Sequence, residues 1–425
     1  MRVPGCLFVS LGLAATIGCN TVEDGASGGG DEVEGCAVVL RAGTDDRDAI
    51  QTALSEAADN STICFSGSFE ITTDQMAASD KVGLTLRGID AGDEVGAGAV
   101  FDFKDLVGPT GFKFSNMQGI TLENFTVKNV KGDGLEVRGS TDVVFRKMKV
   151  TWERGASNNN GAYGFYPVES TNVLVEDCEA SNTADAGIYV GQSENIVVRR
   201  NVVFANVSGI QVENSRNIEV HDNEAYDNTL GIFVHDLPAV PAGNGEGALV
   251  RDNMVYDNNR DNFAKEGIIA AVIPPGLGIM VMTMDDVEVT GNTVEGHDSV
   301  GIAVVSYKTV ELLDPPDREP DPDYDPYPET LHIHGNTLSG NGDAPAQLFV
   351  EAFGLQMMAD IGWDGVADAS KDDADGRLKL CIHDNGAADF VNFDSLNLGA
   401  NKSFDLAPHA CEHPARPTVD NGLLQ

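Results

Sequence analysis

The sequence predicts an all-β chain: a right-handed parallel β-helix with three strands per coil and an N-terminal capping helix. Three observations predict it. First, residues 186–236 repeat as AGIYVGQSENIVVRRNVVFANVS, GIQVENSRNIEVHDNEAYDNTL and GIFVHD, with Gly187, Gly209 and Gly231 each 22 residues apart. Second, one period holds three short runs in which apolar and polar residues alternate: Ile188 and Val190, Ile196 and Val198, Val202 and Phe204. Short runs joined by Gly, Asn or Ser at a fixed period suit a coil of three strands whose neighbours stack in parallel. Third, Asn124, Met148, Cys178, Asn201, Asn223, Asn253, Asn292 and Asn336 take the same place in successive units. Each coil rises by one strand spacing, roughly 4.8 Å, so such a column becomes a ladder, and Asn tolerates the turn geometry that a ladder needs.

From the N-terminus, Arg2 and the apolar stretch Leu7 to Ile17 read as an export signal over residues 1–18. Residues 19–35 are polar, acidic and Gly-rich, a flexible tether. Residues 36–80 read as an N-terminal cap. The run from Thr44 to Ala57 starts with acids and spaces Ile50, Leu54 and Ala57 as one helix face. A helix there covers the open strand edge of the first coil. Coils then fill residues 81–358 at about 22–23 residues each. Four segments break the period: Trp152 to Asn160, Leu237 to Gly247, Arg260 to Gly276, and Asp314 to Glu329, the last with six prolines and seven acids. Insertions map to loops on one scaffold face, where specificity usually resides. Residues 359–425 read as a final coil and C-terminal cap. The 425 residues would allow two or three domains by length, but a repeat array grows in one dimension and makes one elongated domain.

With 67 acidic and 27 basic residues the chain carries a formal charge of −40, which disfavours nucleic acid as a partner. A polyanionic ligand would need a local basic patch or bound cations; calcium is the candidate ion, with the acids of 314–329 as candidate ligands. Cys36 and Cys64 bracket the first folded segment and Cys381 and Cys411 the last, so an exported chain is expected to close both pairs as disulfides. Cys178 falls on the Asn ladder and reads as a buried thiol. C-x-x-C spacings, a P-loop and a dinucleotide fingerprint are absent from the sequence.

Period-two alternation turns Tyr189 and Gly191 outward when Ile188 and Val190 face the core. Aligning coils on their glycines stacks Glu136, Tyr166, Tyr189, Gln211, Phe233, Met280 and Ala303 in one outward column. Beside it stand Arg138, Val168, Gly191, Glu213, His235 and Met282, then Gly139, Glu169, Gln192, Asn214, Asp236 and Thr283. Rings stack on pyranose faces and amides bond hydroxyls, so this column reads as a sugar platform. Its substrate-binding candidates are Tyr166, Tyr189, Gln192, Gln211, Glu213, Asn214 and Asp236. The competing reading is an ordinary solvated sheet face.

Several resemblances sharpen this picture. Thr16, Ile17, Gly18 and Cys19 resemble a bacterial lipobox, which implies cleavage before Cys19 and its lipidation, with Asn20 in place of a retention Asp. The helix at Thr44 to Ala57 and the following ICFSGSFEIT resemble the opening of the pectate-lyase-like superfamily. GAYGFYPVES at 161–170 resembles the Y-G-F-D-P-H-D segment of periplasmic alginate C5-epimerases, sharing Tyr163, Gly164, Phe165 and Pro167. Tyr166, Val168 and Glu169 stand where that segment carries Asp, His and Asp. His235 and Asp236 share those columns three coils later, roughly 15 Å away. Across most of the chain from residue 36, the order GAYGFYPVES, AGIYVGQSENI, GIFVHDLP is similar to a bacterial family of exported β-helix-repeat proteins, often lipoproteins. That resemblance implies a cell-envelope or periplasmic location and, for some members, an exported cytochrome-like partner; the lipobox implies membrane contact through a lipid anchor only, with plain secretion as the alternative.

The expectation is a cell-envelope lipoprotein that binds polysaccharide on the Tyr166 to Asp236 face. If it also modifies it, by lyase- or epimerase-like chemistry, Glu169 or His235 is the candidate base and Arg138 the group neutralising a uronate carboxylate. The alternative is a non-catalytic scaffold or a metal-handling accessory of an exported redox partner, through His332 and His334 or through Met280, Met282 and Met284. Arg146, Glu176 and Arg199 read as a structural charge column.

Overall fold

The computed structural model describes residues 33–44, 46–104, 108–314, 321–374 and 376–424. The export signal, Cys19, most of the tether and residues 315–320 of the Pro-rich run lie outside the described residues. The strands form three sheets of 12, 11 and 10 strands. One coil contributes one strand to each. Thr171–Glu176, for example, lies in the first sheet, Glu179–Ser181 in the third and Ala186–Gly191 in the second. Neighbouring coils pair in parallel, with Ile188 on Ile210, Ile196 on Ile218 and Val203 on Ala225.

The inward residues of all three sheets make one continuous buried core, which contains Ile188, Val190, Ile196, Val198 and Val203. The repeating glycine has a steric reason. A Cβ on Gly164, Gly209, Gly231 or Gly278 would approach the carbonyl oxygen of the column glycine one coil on to 2.4–2.6 Å. The coils therefore close on one another only where that residue has no side chain.

The Asn column is a hydrogen-bonded ladder. Asn201 Nδ2 donates to Asn223 Oδ1 (2.9 Å), Asn223 to Asn253 (2.9 Å), Asn253 to Asn292 (2.9 Å) and Asn292 to Asn336 (2.9 Å). Asn385 extends it by one rung. Each buried amide also bonds backbone, as Asn223 Nδ2 does to the Val198 carbonyl, so removing one strands its neighbours. Cys178 is the free buried thiol of this column, its pKa raised by burial. A second ladder, not anticipated, runs through Asn206, Asn228, Asn258, His297 and Asn341. The charge column also forms: Glu176 accepts from Arg146 (2.6 Å) and Arg199 (2.7 Å).

At the N-terminal end, helix α1 (Asp46–Glu56) buries Ile50 and Leu54. Gln51 donates to the Ala77 carbonyl (2.9 Å) and accepts from its N–H (3.0 Å), so a side-chain amide satisfies the open edge of strand Met76–Ser79. Winding starts earlier than residue 81. Thr62–Ser66, Ser68–Glu70 and Met76–Ser79 already enter the first, third and second sheets. Disulfides join Cys36 to Cys64 and Cys381 to Cys411. Two short helices lie in the interrupted region, α2 (Tyr307–Leu313) and α3 (Gln347–Phe353). The C-terminal segment then runs back along the outside of the first sheet. There the Val419 N–H donates to Glu219 (2.8 Å), Asn421 Nδ2 donates to the Val173 carbonyl (3.0 Å), and Val419 packs on Val144, Leu174 and Val197.

Candidate functional site

The register confirms the outward columns: Glu136 pairs with Tyr166, Tyr189 with Gln211, Gln211 with Phe233, and Glu213 with His235. The face is not open along its length, however. Tyr189, Gln211, Glu213, Asn214, His235 and Asp236 are all buried, whereas Tyr166 and Gln192 are half-buried and Glu169 is exposed. The interrupting segments cause this. Tyr163, just after the first insertion, sets its ring 4.5 Å from that of Tyr189 and 4.8 Å from that of Tyr166. Asn214 holds the second insertion, bonding the Leu237 N–H and the carbonyls of Leu237 and Gly243. Asp236 accepts from the Gly245 N–H at 2.8 Å. Asn214 and Asp236 thus face a loop rather than solvent.

At the accessible end, Arg138 Nη1 donates to Glu169 Oε1 (2.6 Å), its Nε to Glu136 Oε1 (3.1 Å) and its Nη2 to the Tyr166 hydroxyl (3.2 Å). Lys113 adds a second cation on Glu136 (3.1 Å). At the other end of strand Asp133–Arg138 lies a groove of about 480 Å³ lined by Asp133, Lys131 and Lys265, the last reaching back from the third insertion. Burial chiefly pushes Asp133 up to about 6, opposed by a hydrogen bond from the Tyr163 N–H. Asp185 is pushed up to about 8 by burial and then by the Glu213 and Asp133 charges, and its hydrogen bond to Tyr163 opposes the shift. Glu213 is raised by burial against a hydrogen bond from Tyr189.

His235 occupies its expected column but is fully enclosed. Its ring stacks on Phe233 at 3.9 Å and its Nε2 lies 2.9 Å from Gln211 Nε2. Burial pulls its pKa down to about 3, so it is neutral and sealed from the groove. That corrects its expected place on a solvent-facing platform. Glu169 and Arg138 meet, whereas His235 joins neither. Several occluded polar atoms of this region have no hydrogen-bond partner within the described protein: Asp185 Oδ1, Gln192 Oε1, Ser208 Oγ, Gln211 Oε1, His235 Nδ1 and Asp236 Oδ1. Sequence reasoning missed Asp133, Asp185, Lys131 and Lys265 as members of the site. An acid one or two residues before the column glycine, Asp133 before Gly134 and Asp185 before Gly187, was the available signal.

Further along, the same face turns apolar. Phe233, Met280, Met282 and Ala303 pack under α2 and α3 with Tyr307, Phe349 and Phe353. A cavity of about 670 Å³ lies between them, lined by Phe233, Met280, Val300, Val310, Phe349 and Phe353 among others. The three methionines are buried in apolar surroundings, Met284 in the main core. Asp325 and Glu329, the candidate calcium ligands, gather with Asp285, but Lys371 sits among them at 2.6 Å from Asp325 and 2.7 Å from Glu329.

Residues 110–244 match the family model described as right handed beta helix region, in keeping with the right-handed coil expected from the repeat. Among solved structures, the chain is similar to a mannuronan C-5 epimerase A-module from Azotobacter vinelandii at 13% identity, covering 77% of this chain and 79% of that one, with a TM-score of 0.47. A polygalacturonase from Erwinia carotovora ssp. carotovora matches at 12% identity over 75% of this chain and 96% of that one, TM-score 0.46. A mutant of the periplasmic alginate epimerase AlgG matches at 11% identity over 76% and 69%, TM-score 0.40. No curated protein sequence matches the chain.

Proposed function

We propose that the protein is an exported cell-envelope lipoprotein, anchored through Cys19, that binds an acidic or neutral polysaccharide at the Tyr166 end of the second sheet. One observation carries this reading. The rings of Tyr163, Tyr166 and Tyr189 cluster at 4.5–5.2 Å beside Arg138 and a groove bearing Lys131 and Lys265. In a chain of charge −40, cations beside aromatic rings suit a sugar that carries a carboxylate, with rings for the pyranose face and donors for the acid. Binding stands ahead of catalysis because Arg138 and Glu169 are engaged with each other at 2.6 Å. A lyase- or epimerase-like step would need a ligand to part them, freeing Glu169 as base and Arg138 for the uronate.

A glycan array probed with the purified protein, with and without calcium, tests the reading, with product analysis on each hit. Tyr166→Ala and Arg138→Gln should each weaken a uronan hit by about tenfold, the worth of one ring or charge-assisted contact. Hits unmoved by both variants, or none at all, would overturn it. Palmitate labelling that is absent from Cys19→Ala tests the anchor.

A further inference from the structure

The first sheet carries, near its C-terminal end, a cluster that the glycan reading does not use. Strand Leu331–His334 turns Leu331 and Ile333 into the core and His332 and His334 outward. Register places Glu288 beside His332, and His383, from strand Leu380–His383, beside His334. His332 Nε2 and His383 Nε2 lie 2.7 Å apart, and His334 Nε2 lies 2.8 Å from Glu288 Oε1. One nitrogen from each of the three imidazoles falls within 4.8 Å of the others.

Two further features distinguish this from a chance stack of histidines. His383 Nδ1 is 3.0 Å from Asp384 Oδ2, and such a carboxylate fixes the tautomer that leaves the Nε2 lone pair toward the cluster. His332 is buried and its Nδ1 has no partner within the described protein, so ring and sheet hold it without a competing bond. The surroundings are tied down as well. The Cys381–Cys411 disulfide joins the strand of His383 to the C-terminal segment. From that segment the Arg416 N–H donates to Glu288 Oε2 at 2.5 Å, and His413 sets a fourth ring 6.1 Å from His332.

We propose that His332, His334 and His383, with Glu288 as fourth ligand, bind one divalent transition-metal ion of the zinc and copper class. Three imidazoles and one carboxylate form a borderline donor set that suits these ions and disfavours calcium and magnesium, which take oxygen. In a tetrahedral site with bonds of about 2.0–2.1 Å the donor atoms stand roughly 3.3 Å apart. The 2.7 Å imidazole pair therefore opens by roughly 0.6 Å, within reach of small side-chain rotations. The cation resolves the contact between two imidazole nitrogens by accepting both lone pairs. The proposal is independent of the glycan site, which lies on another sheet.

Untagged, chelator-treated protein titrated with zinc chloride in a calorimeter should take up one equivalent, and calcium chloride under the same conditions none at that site. His332→Gln and His383→Gln should each weaken zinc binding by about a hundredfold or abolish it, with circular dichroism and melting confirming the fold. Cobalt(II) should give the intense visible bands of a tetrahedral site in the wild type and lose them in both variants. No zinc uptake, or uptake and cobalt bands unchanged in both folded variants, would overturn the assignment. Neither result bears on uronan binding.

Discussion

Tyr189, Gln211 and Phe233 are consecutive rungs of one outward column, yet the face changes character between them. On the N-terminal side lie tyrosines, carboxyls and cations around a groove, with the pKa of Asp133 and of Asp185 raised chiefly by burial. On the C-terminal side Phe233, Met280 and Met282 meet Phe349 and Phe353 across an apolar cavity. The backbone beneath is the same in both halves, with the same glycine column and an Asn ladder that crosses their boundary through Asn201, Asn223 and Asn253. What differs is the roof: Tyr163, just after the first insertion, and Lys265, within the third, over the first half, and α2 and α3 over the second. A repeat scaffold thus fixes where outward side chains stand, and the non-repeating segments decide which of them reach solvent.

Phe353→Ala should break the apolar half alone. It removes a buried ring from the roof and should cost about 3 kcal/mol in urea unfolding, while uronan binding at Tyr166 stays unchanged. Loss of binding in a folded Phe353→Ala protein would show that the halves act as one unit. Asn223→Ala attacks what the halves share. It strands the Asn201 amide and the Val198 carbonyl and should cost about 2 kcal/mol in the same assay; a change under about 0.5 kcal/mol would demote the ladder to ornament.

Asp185→Asn sharpens the electrostatics of the polar half. The folded-state pKa of Asp185, about 8, lies above its ordinary 3.8, so between those values the folded chain binds the proton that the unfolded chain releases. Its contribution is complete below the unfolded value and is lost as pH rises toward 8. The Asn variant cannot ionise, so its unfolding free energy in urea should gain on wild type from pH 6 to pH 8, by on the order of 2 kcal/mol. A constant offset would mean that Asp185 is already charged at neutral pH. The smallest effect is expected from Glu169→Gln, which removes a partly exposed partner of Arg138 and should change stability by less than about 1 kcal/mol. If Glu169 and Arg138 compete with a uronate for each other, the same variant should tighten uronan binding slightly; weaker binding would make Glu169 a direct contact.

The columns were legible because side-chain direction follows from period two and coil register from the spacing of Gly187, Gly209 and Gly231. The second ladder was equally legible, since Asn206 and Asn228 keep the same 22-residue spacing. The burial of His235 was not legible. Nothing in GIFVHD says that the loop after it will be pinned back on Asp236 through the Gly245 N–H. His383 was likewise invisible beside His332 and His334, because about fifty residues separate them and only the strand register makes them neighbours.

By itself the sequence determined the coil, its three faces, the inward core and the Asn ladder, because each follows from local periodicity or from residues that recur at a fixed spacing, and both disulfides from cysteines that bracket the first and last folded segments. Tertiary structure alone decided which outward residues are roofed, which cations reach the groove, how the C-terminal segment straps the first sheet, and that His332, His334 and His383 meet. Those outcomes depend on where aperiodic segments dock and on which strands become neighbours across insertions, and long-range packing settles both.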